Sequence, residues 1–567
     1  MKTKIDKPEV IQTDILIIGG GGAGLRAAIE AAQNGIDVIL IAKEVLGTAH
    51  TGMAEGGLNV ALQDINPLNS PDIHFKDTLN GGAEINNQRL VDVFTRECPD
   101  RVRDLEAFGV IFDRTEDGKI AQRFSGKQTY PHTIFVGDYT GHALMRGLVA
   151  QARKLGVKYL DEHFVIKLFV KNNKACGVLA LDFKEGILRV LISKSVLLAS
   201  GGGGRMYKIT TNARSNTADG FAMALSAGSP LVDMEMVQFH PTGMVSPASA
   251  RGRLITESVR GEGGVLKNTL GERFMNQYNP ERMELAGRDE VARAIYNEIL
   301  SGRGTTNGGV YLDISHLDAK IIEERLPDML EQFLNIGIDI RKKPMEVYPS
   351  MHHLCGGVKI DEWGKTSVSG LYAAGEVTGG IHGGNRLGGN AIAECQVFGR
   401  RAALSAIDFA KENSQFLLPD ESDISRELEV IYNFLNKEKS FTHPEEFGDK
   451  LRDIMWSKVG ITRTKKDLLE AKVGLNQLDN EVGSLGSRIH TLRYNVDLVA
   501  CLENTNMTVV ARAITEAALL RQESRGAHYR MDYPKQDPEW GRFNTQITLS
   551  VDGLITSTRT PTVELDL

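Results

Sequence analysis

The sequence predicts an α/β protein: a Rossmann-like domain interrupted by an inserted α+β capping domain, then a helical domain and a short C-terminal domain. Three observations lead there. An apolar strand at 14–18 runs straight into GGGGAG and an Ala-rich helix at 25–33, with a second strand at 37–41; this is a βαβ unit. Glycine clusters return behind later strands, at 200–204 (SGGGG) and 373–376 (AAGE). Past Leu418, charged and apolar residues mix at helical spacing through about Arg521.

The elements follow in order. Residues 66–89 are polar with little periodicity and read as a long loop, followed by helices at 91–108 and 142–155. Strands are expected at 164–170, 176–182 and 188–199, ending in the second glycine cluster. A mixed stretch then carries helices near 290–300 and 320–334, after which a strand at LYAAGE and a helix from about 391 restore the first pattern. Alternation at 545–551 closes the chain. The expected boundaries are 1–233 and 355–417 for the Rossmann-like domain, 234–354 for the inserted one, 418–521 for the helical one and 522–567 for the last.

Composition narrows the function. With 567 residues the chain exceeds a single core, and 41% apolar with 25% charged residues is ordinary for a globular protein. A net charge of -7 gives no general reason to bind nucleic acid, so an anionic ligand must be held locally. The cysteines Cys98, Cys176, Cys355, Cys395 and Cys501 form no CxxC pair, so neither zinc nor an iron-sulfur cluster is read from them, and reduced thiols are expected. Neither an export signal nor a run of ~20 apolar residues occurs, so no membrane span is expected and the location reads as cytoplasmic.

Gly19, Gly21 and Gly24 form GxGxxG between a strand and a helix. The first permits a tight turn, the second lets backbone approach a pyrophosphate, and the third lets helix pack closely on strand. Phosphate then meets unpaired N–H groups at the helix start, beside Gly22. The acidic residue expected after the second strand is missing, since Ile41 is followed by Ala42, Lys43 and only then Glu44. The fingerprint alone leaves NAD open. The two later glycine loops favour the longer, more enclosed site that FAD requires.

Further motifs cover nearly the whole chain: AHTGMAEGG at 49–57, DYTGH at 138–142, TADG at 217–220, MEMVQFHPTG at 234–243, TESVRGEGG at 256–264, ERFM at 272–275 and AGRDEVAR at 286–293. MHHLCGG at 351–357, HGGNRLGGN at 382–390, IMWSKVGITR at 454–463 and ESRGAHYRMDYP at 523–534 continue the set. In these the sequence resembles the flavoprotein subunits of succinate dehydrogenases and fumarate reductases, to which L-aspartate oxidases are related. The resemblance implies FAD, held by Gly19, Gly21, Gly22, Gly24, Lys43, His50, Thr51, Gly56, Gly57, Gly201, Gly202, Asp219, Glu376 and Asn390. It also implies a covalent flavin bond at His50, a residue that the oxidases generally lack.

By the same resemblance His240, Thr256, His352 and Arg386 contact the two carboxylates of succinate or fumarate, with His353 the weaker histidine candidate. Arg288 would transfer the proton, connected outward through Glu257 and Arg260. A guanidinium with a pKa above ~12 is a poor acid or base on its own, so a carboxylate and a second arginine would have to pass the proton through it. With no cluster motif in the chain, electrons imply an iron-sulfur partner subunit, with quinone-reactive, thiol-reactive or anchor subunits beyond it. Such partners would allow a peripheral position on the cytoplasmic membrane. The rival readings are an L-aspartate oxidase-type flavoenzyme and, last, a noncatalytic FAD-binding scaffold. Direction of turnover is left open, because residue spacing does not encode flavin potential.

Overall fold

The computed structural model describes residues 6–437 and 441–565. Its centre is a sheet in which Lys158–Leu160, Val38–Ile41, Glu9–Ile18 and Ile187–Leu198 lie side by side and parallel. Leu371–Ala373 joins the end of Ile187–Leu198 in parallel, while His163–Lys171 and Lys174–Asp182 extend the other side antiparallel. Ile15, Leu16, Ile17 and Ile18 are all buried, the continuous apolar run expected of a parallel strand covered on both faces. The helices Gly22–Gln33 and Asn390–Glu412 pack on one another beside this sheet.

A four-stranded antiparallel sheet, ordered Val237–Met244, Met345–Leu354, Val310–Asp313 and Val265–Lys267, carries a separate apolar core that includes Met244, Leu266, Ile295, Phe333 and Val347. Another joins Leu231–Val232 and Gly357–Val358 to the C-terminal strands Phe543–Leu549 and Ile555–Pro561. Between them the helices Glu421–Leu435, Pro444–Lys458, Lys465–Glu481 and Val496–Leu520 form the α-helical part.

Local structure departs from the sequence reading in several places. The loop expected across 66–89 contains a helix, Pro71–Gly81, started by Ser70, whose side chain accepts from the Ile73 N–H, and by Pro71 in the first turn. Its buried face is His74, Asp77, Thr78 and Gly81, so no apolar periodicity betrays it. The helix expected at 320–334 is two, Ala319–Arg325 and Pro327–Leu334, because Pro327 cannot donate to the preceding turn. The helix near 290–300 starts earlier, at Arg288, and ends in a π-turn over Ile299–Arg303. The strand Ile555–Pro561 has no counterpart in the sequence reading; it is an edge strand with mostly exposed residues.

Candidate active site

One cavity of about 770 Å³ runs from the glycine-rich turn to the inserted sheet. At the first end Gly19 has φ +118°, and a methyl there would lie 2.1 Å from the Ala199 carbonyl oxygen. A methyl on Gly24 would lie 1.8 Å from Gly19 O, which accounts for glycine where helix meets strand. Gly21, Gly22, Thr51, Gly56, Gly57, Gly201, His50, Lys43, Asp219 and Glu376 line the same cavity. Thr51 Oγ1 accepts from the Gly22 N–H at 3.1 Å, fixing the loop to the helix start. On the wall, Ser200 Oγ has no hydrogen-bond partner among the described residues.

Other predicted cofactor residues stand elsewhere or are already engaged. Lys43 Nζ donates to Thr217 Oγ1 at 2.6 Å and pairs with Asp219 at 2.9 Å and Glu503 at 2.6 Å, so it ties the sheet to the helix Val496–Leu520. Gly202 sits behind Glu376, whose carboxylate would lie 2.2 Å from an added methyl. Asn390 is fully buried beneath the cavity; its Oδ1 accepts from Asn59 at 2.9 Å and His74 at 3.0 Å. Neither Gly202, Gly24, Asn390 nor Arg260 lines the wall.

At the far end His240, Thr256, Glu257, Arg288, His352 and Arg386 face the cavity together. They come from separate parts of the chain: the strand Val237–Met244, the cap and first turn of Glu257–Gly261, the first residue of Arg288–Glu298, the strand Met345–Leu354, and the NRLGGN loop. Arg288 donates through Nε and Nη2 to Glu257 Oε2, at 2.9 and 2.7 Å. Glu257 Oε1 accepts from the Gly126 N–H at 2.9 Å and from Ser125 Oγ at 3.3 Å. Arg260 stands 3.9 Å behind Glu257 with a wholly buried side chain and donates to Glu284 O at 2.5 Å.

Burial by itself would raise the Glu257 carboxyl, but Arg288 and Arg260 outweigh it and hold the group far below the usual carboxylate range. Burial lowers Arg386 to about 9, with the Arg288 charge acting in the same direction. Burial and the nearby arginines also push His240 and His352 well down, so both are neutral. His240 Nδ1 accepts from the Thr242 N–H at 3.3 Å, which leaves its proton on Nε2. His352 Nδ1 hydrogen-bonds the Thr211 hydroxyl at 2.7 Å. His353 faces the cavity too, with Nδ1 3.4 Å from Glu376.

Residue chemistry did not single out Gln238, although it lies in the quoted QFHPTG stretch. Its Oε1 accepts from Arg288 Nη1 and from Arg386 Nη2, each at 3.2 Å, and its Nε2 donates to Asn385 Oδ1 and Arg386 O. A neutral amide carries no charge or nucleophile to attract notice. Ser125 and Thr211 were missed for the same reason.

A glycine cradle opening onto a cluster of buried cations defines a dinucleotide-dependent oxidoreductase for an anionic substrate. Known proteins sharpen this. A family described as an FAD binding domain matches residues 14–392, and one described as fumarate reductase flavoprotein C-term matches 448–558. The chain is 48% identical over 535 residues to a fumarate reductase (CoM/CoB) subunit of Methanothermobacter marburgensis, covering 94% of this chain and 97% of that one. It is 36% identical to a succinate dehydrogenase flavoprotein subunit of Rickettsia bellii, covering 93% and 91%. The structure of E. coli quinol fumarate reductase superposes with a TM-score of 0.93 at 33% identity, covering 99% and 98%. The chain belongs to the family of fumarate reductase and succinate dehydrogenase flavoprotein subunits, and it is an FAD-dependent oxidoreductase. Among the described residues no helix is long and apolar enough to cross a membrane.

Proposed function

We propose that this chain interconverts succinate and fumarate and exchanges electrons with an iron-sulfur partner subunit. The charge balance at the far end of the cavity carries the reading. Arg260, Arg288 and Arg386 against Glu257 leave two net positive charges, the complement of a dicarboxylate dianion. Two buried carboxylates demand such compensation, because desolvating them without it is very costly. Arg386 and the His240, His352 and Thr256 donors would hold the carboxylates and turn a carbon toward the glycine-lined end. FAD, when bound there by the cradle of Gly19 to Gly24, supplies the hydride acceptor or donor.

Arg288 is the proton-transferring group in this reading. Its two bonds to one oxygen of an ionised carboxylate give any proton it releases an immediate replacement route. His50, on the cavity wall, is the attachment point for the flavin. Its Nδ1 accepts from the Ala213 N–H at 3.3 Å, so Nε2 is the nitrogen left for a bond. The likeness to a protein whose name carries CoM/CoB favours fumarate reduction in a multisubunit complex, held at a membrane, if at all, through partners.

Steady-state assays of the purified complex decide the substrate. Turnover with fumarate and a reduced dye, and with succinate and an oxidised one, is expected, with none on L-aspartate and oxygen. Oxidation of L-aspartate in place of succinate would replace this reading with the oxidase one.

A further inference from the structure

We propose that Ser125 is the outer link of the proton relay, so that protons reach Arg288 from solvent through Ser125 and Glu257 and not through Arg260. The proposal rests on the reading of Arg288 as the proton-transferring group. The two oxygens of Glu257 face different ways: Oε2 is occupied by Arg288, whereas Oε1 receives the Ser125 hydroxyl at 3.3 Å and the Gly126 N–H at 2.9 Å. Of these two donors only the hydroxyl can both give and regain a proton, since an amide N–H does not exchange on the time scale of turnover.

Arg260 is badly placed for the outward step. Its side chain is fully buried, its nearest approach to Glu257 is 3.9 Å, and one of its amino groups is committed to Glu284 O. Its part is electrostatic: with Arg288 it keeps Glu257 ionised, so that a proton arriving on Oε1 is passed on from Oε2 quickly. Ser125, in contrast, is only half-buried and follows the exposed Phe124. Two residues on, Lys127 borders a second cavity of about 430 Å³, lined also by Asn80, Asp289, Arg293 and Ser524, which brings water up to this loop.

A second observation marks the same place. Gly388 of NRLGGN leaves room where the relay groups meet: a methyl there would lie 2.5 Å from Ser125 Oγ, 2.9 Å from Glu257 Oε2 and 3.1 Å from Arg288 Nη2. In the reductive direction the balance is simple. Arg288 gives a proton to the substrate carbon and regains one from Glu257, Glu257 takes the Ser125 hydroxyl proton, and Ser125 is reprotonated by water. One solvent proton becomes one C–H bond, and no electron moves along these groups.

The test uses the holoenzyme with Ser125→Ala and Ser125→Thr. Ser125→Ala is expected to lower kcat for fumarate reduction about tenfold with KM little changed and a larger solvent deuterium isotope effect, and Ser125→Thr to restore both. The infrared carboxylate band that disappears in Glu257→Gln is expected to shift in Ser125→Ala and return in Ser125→Thr, independently of turnover. Should the alanine variant fail to fold, Ser125→Gly supplies the same readings. Unchanged kcat, isotope effect and carboxylate band would overturn the relay. Substantial turnover in Arg288→Lys would instead overturn the underlying assignment of Arg288, whatever Ser125 does.

Discussion

Arg288 and Arg386 donate to the same oxygen, Gln238 Oε1, at 3.2 Å each. Two like charges thus stand around one neutral acceptor, which also anchors the Asn385–Arg386 backbone and fixes how far apart the guanidiniums lie. Gln238→Leu removes all four bonds at nearly constant volume. Freed from their common partner, the guanidiniums separate, and misplacement by about 1 Å costs roughly 10²-fold in rate. The expected result is a fall of that order in kcat/KM for fumarate with normal flavin content. Wild-type kinetics in Gln238→Leu would remove Gln238 from the site.

Arg386 gives a pH dependence of binding. With its pKa lowered to about 9 by burial and by Arg288, it carries its charge below that pH and loses it above. Affinity for malonate, a non-reacting dicarboxylate, is therefore expected to weaken as pH rises through about 9. Arg386→Gln should bind malonate roughly 10- to 100-fold more weakly at pH 7, as befits a charged hydrogen bond of ~1.5–3 kcal/mol, and show no such titration. Calorimetric titration of both proteins between neutral pH and about 10 measures this.

His50 sets the fate of the flavin on denaturation. Acid-precipitated wild-type protein is expected to keep flavin fluorescence on the polypeptide, and His50→Ser to release it into the supernatant while still binding FAD in the native state. Complete release from the wild type would show that the bond is not made.

Glu394, outside the site, predicts a stability effect with a definite sign. Burial pushes its carboxyl from near 4.5 up to about 8, against the opposing effect of the Gly375 N–H that it accepts. Between those values the folded chain keeps a proton that the unfolded chain has released. Its stabilising share is complete below about 4.5 and is lost as pH rises through about 8, at up to ~1.4 kcal/mol per pH unit. Glu394→Gln retains an oxygen for Gly375 and abolishes this slope, so its thermal midpoint should gain on the wild type from pH 5 to pH 8. A constant difference across that range would contradict it.

Much of this protein is written in short stretches of its chain. The strand–GGGGAG–helix unit and the glycines at 19 and 24 are legible because a positive φ and a helix-on-strand approach are local demands that only glycine meets. The charged members of the site were legible as residue types in motifs. The helix Pro71–Gly81 was not, since its buried face is polar and the tertiary packing, not periodicity, holds it. Nor was the wiring. That Gln238 joins residues 50 and 148 positions away, or that Ser125 reaches Glu257 across 132, depends on strand register and loop placement. Hydrogen bonds act over about 3 Å in space and leave no periodic trace in sequence, so only the tertiary structure decides which neutral side chains stand between the charges.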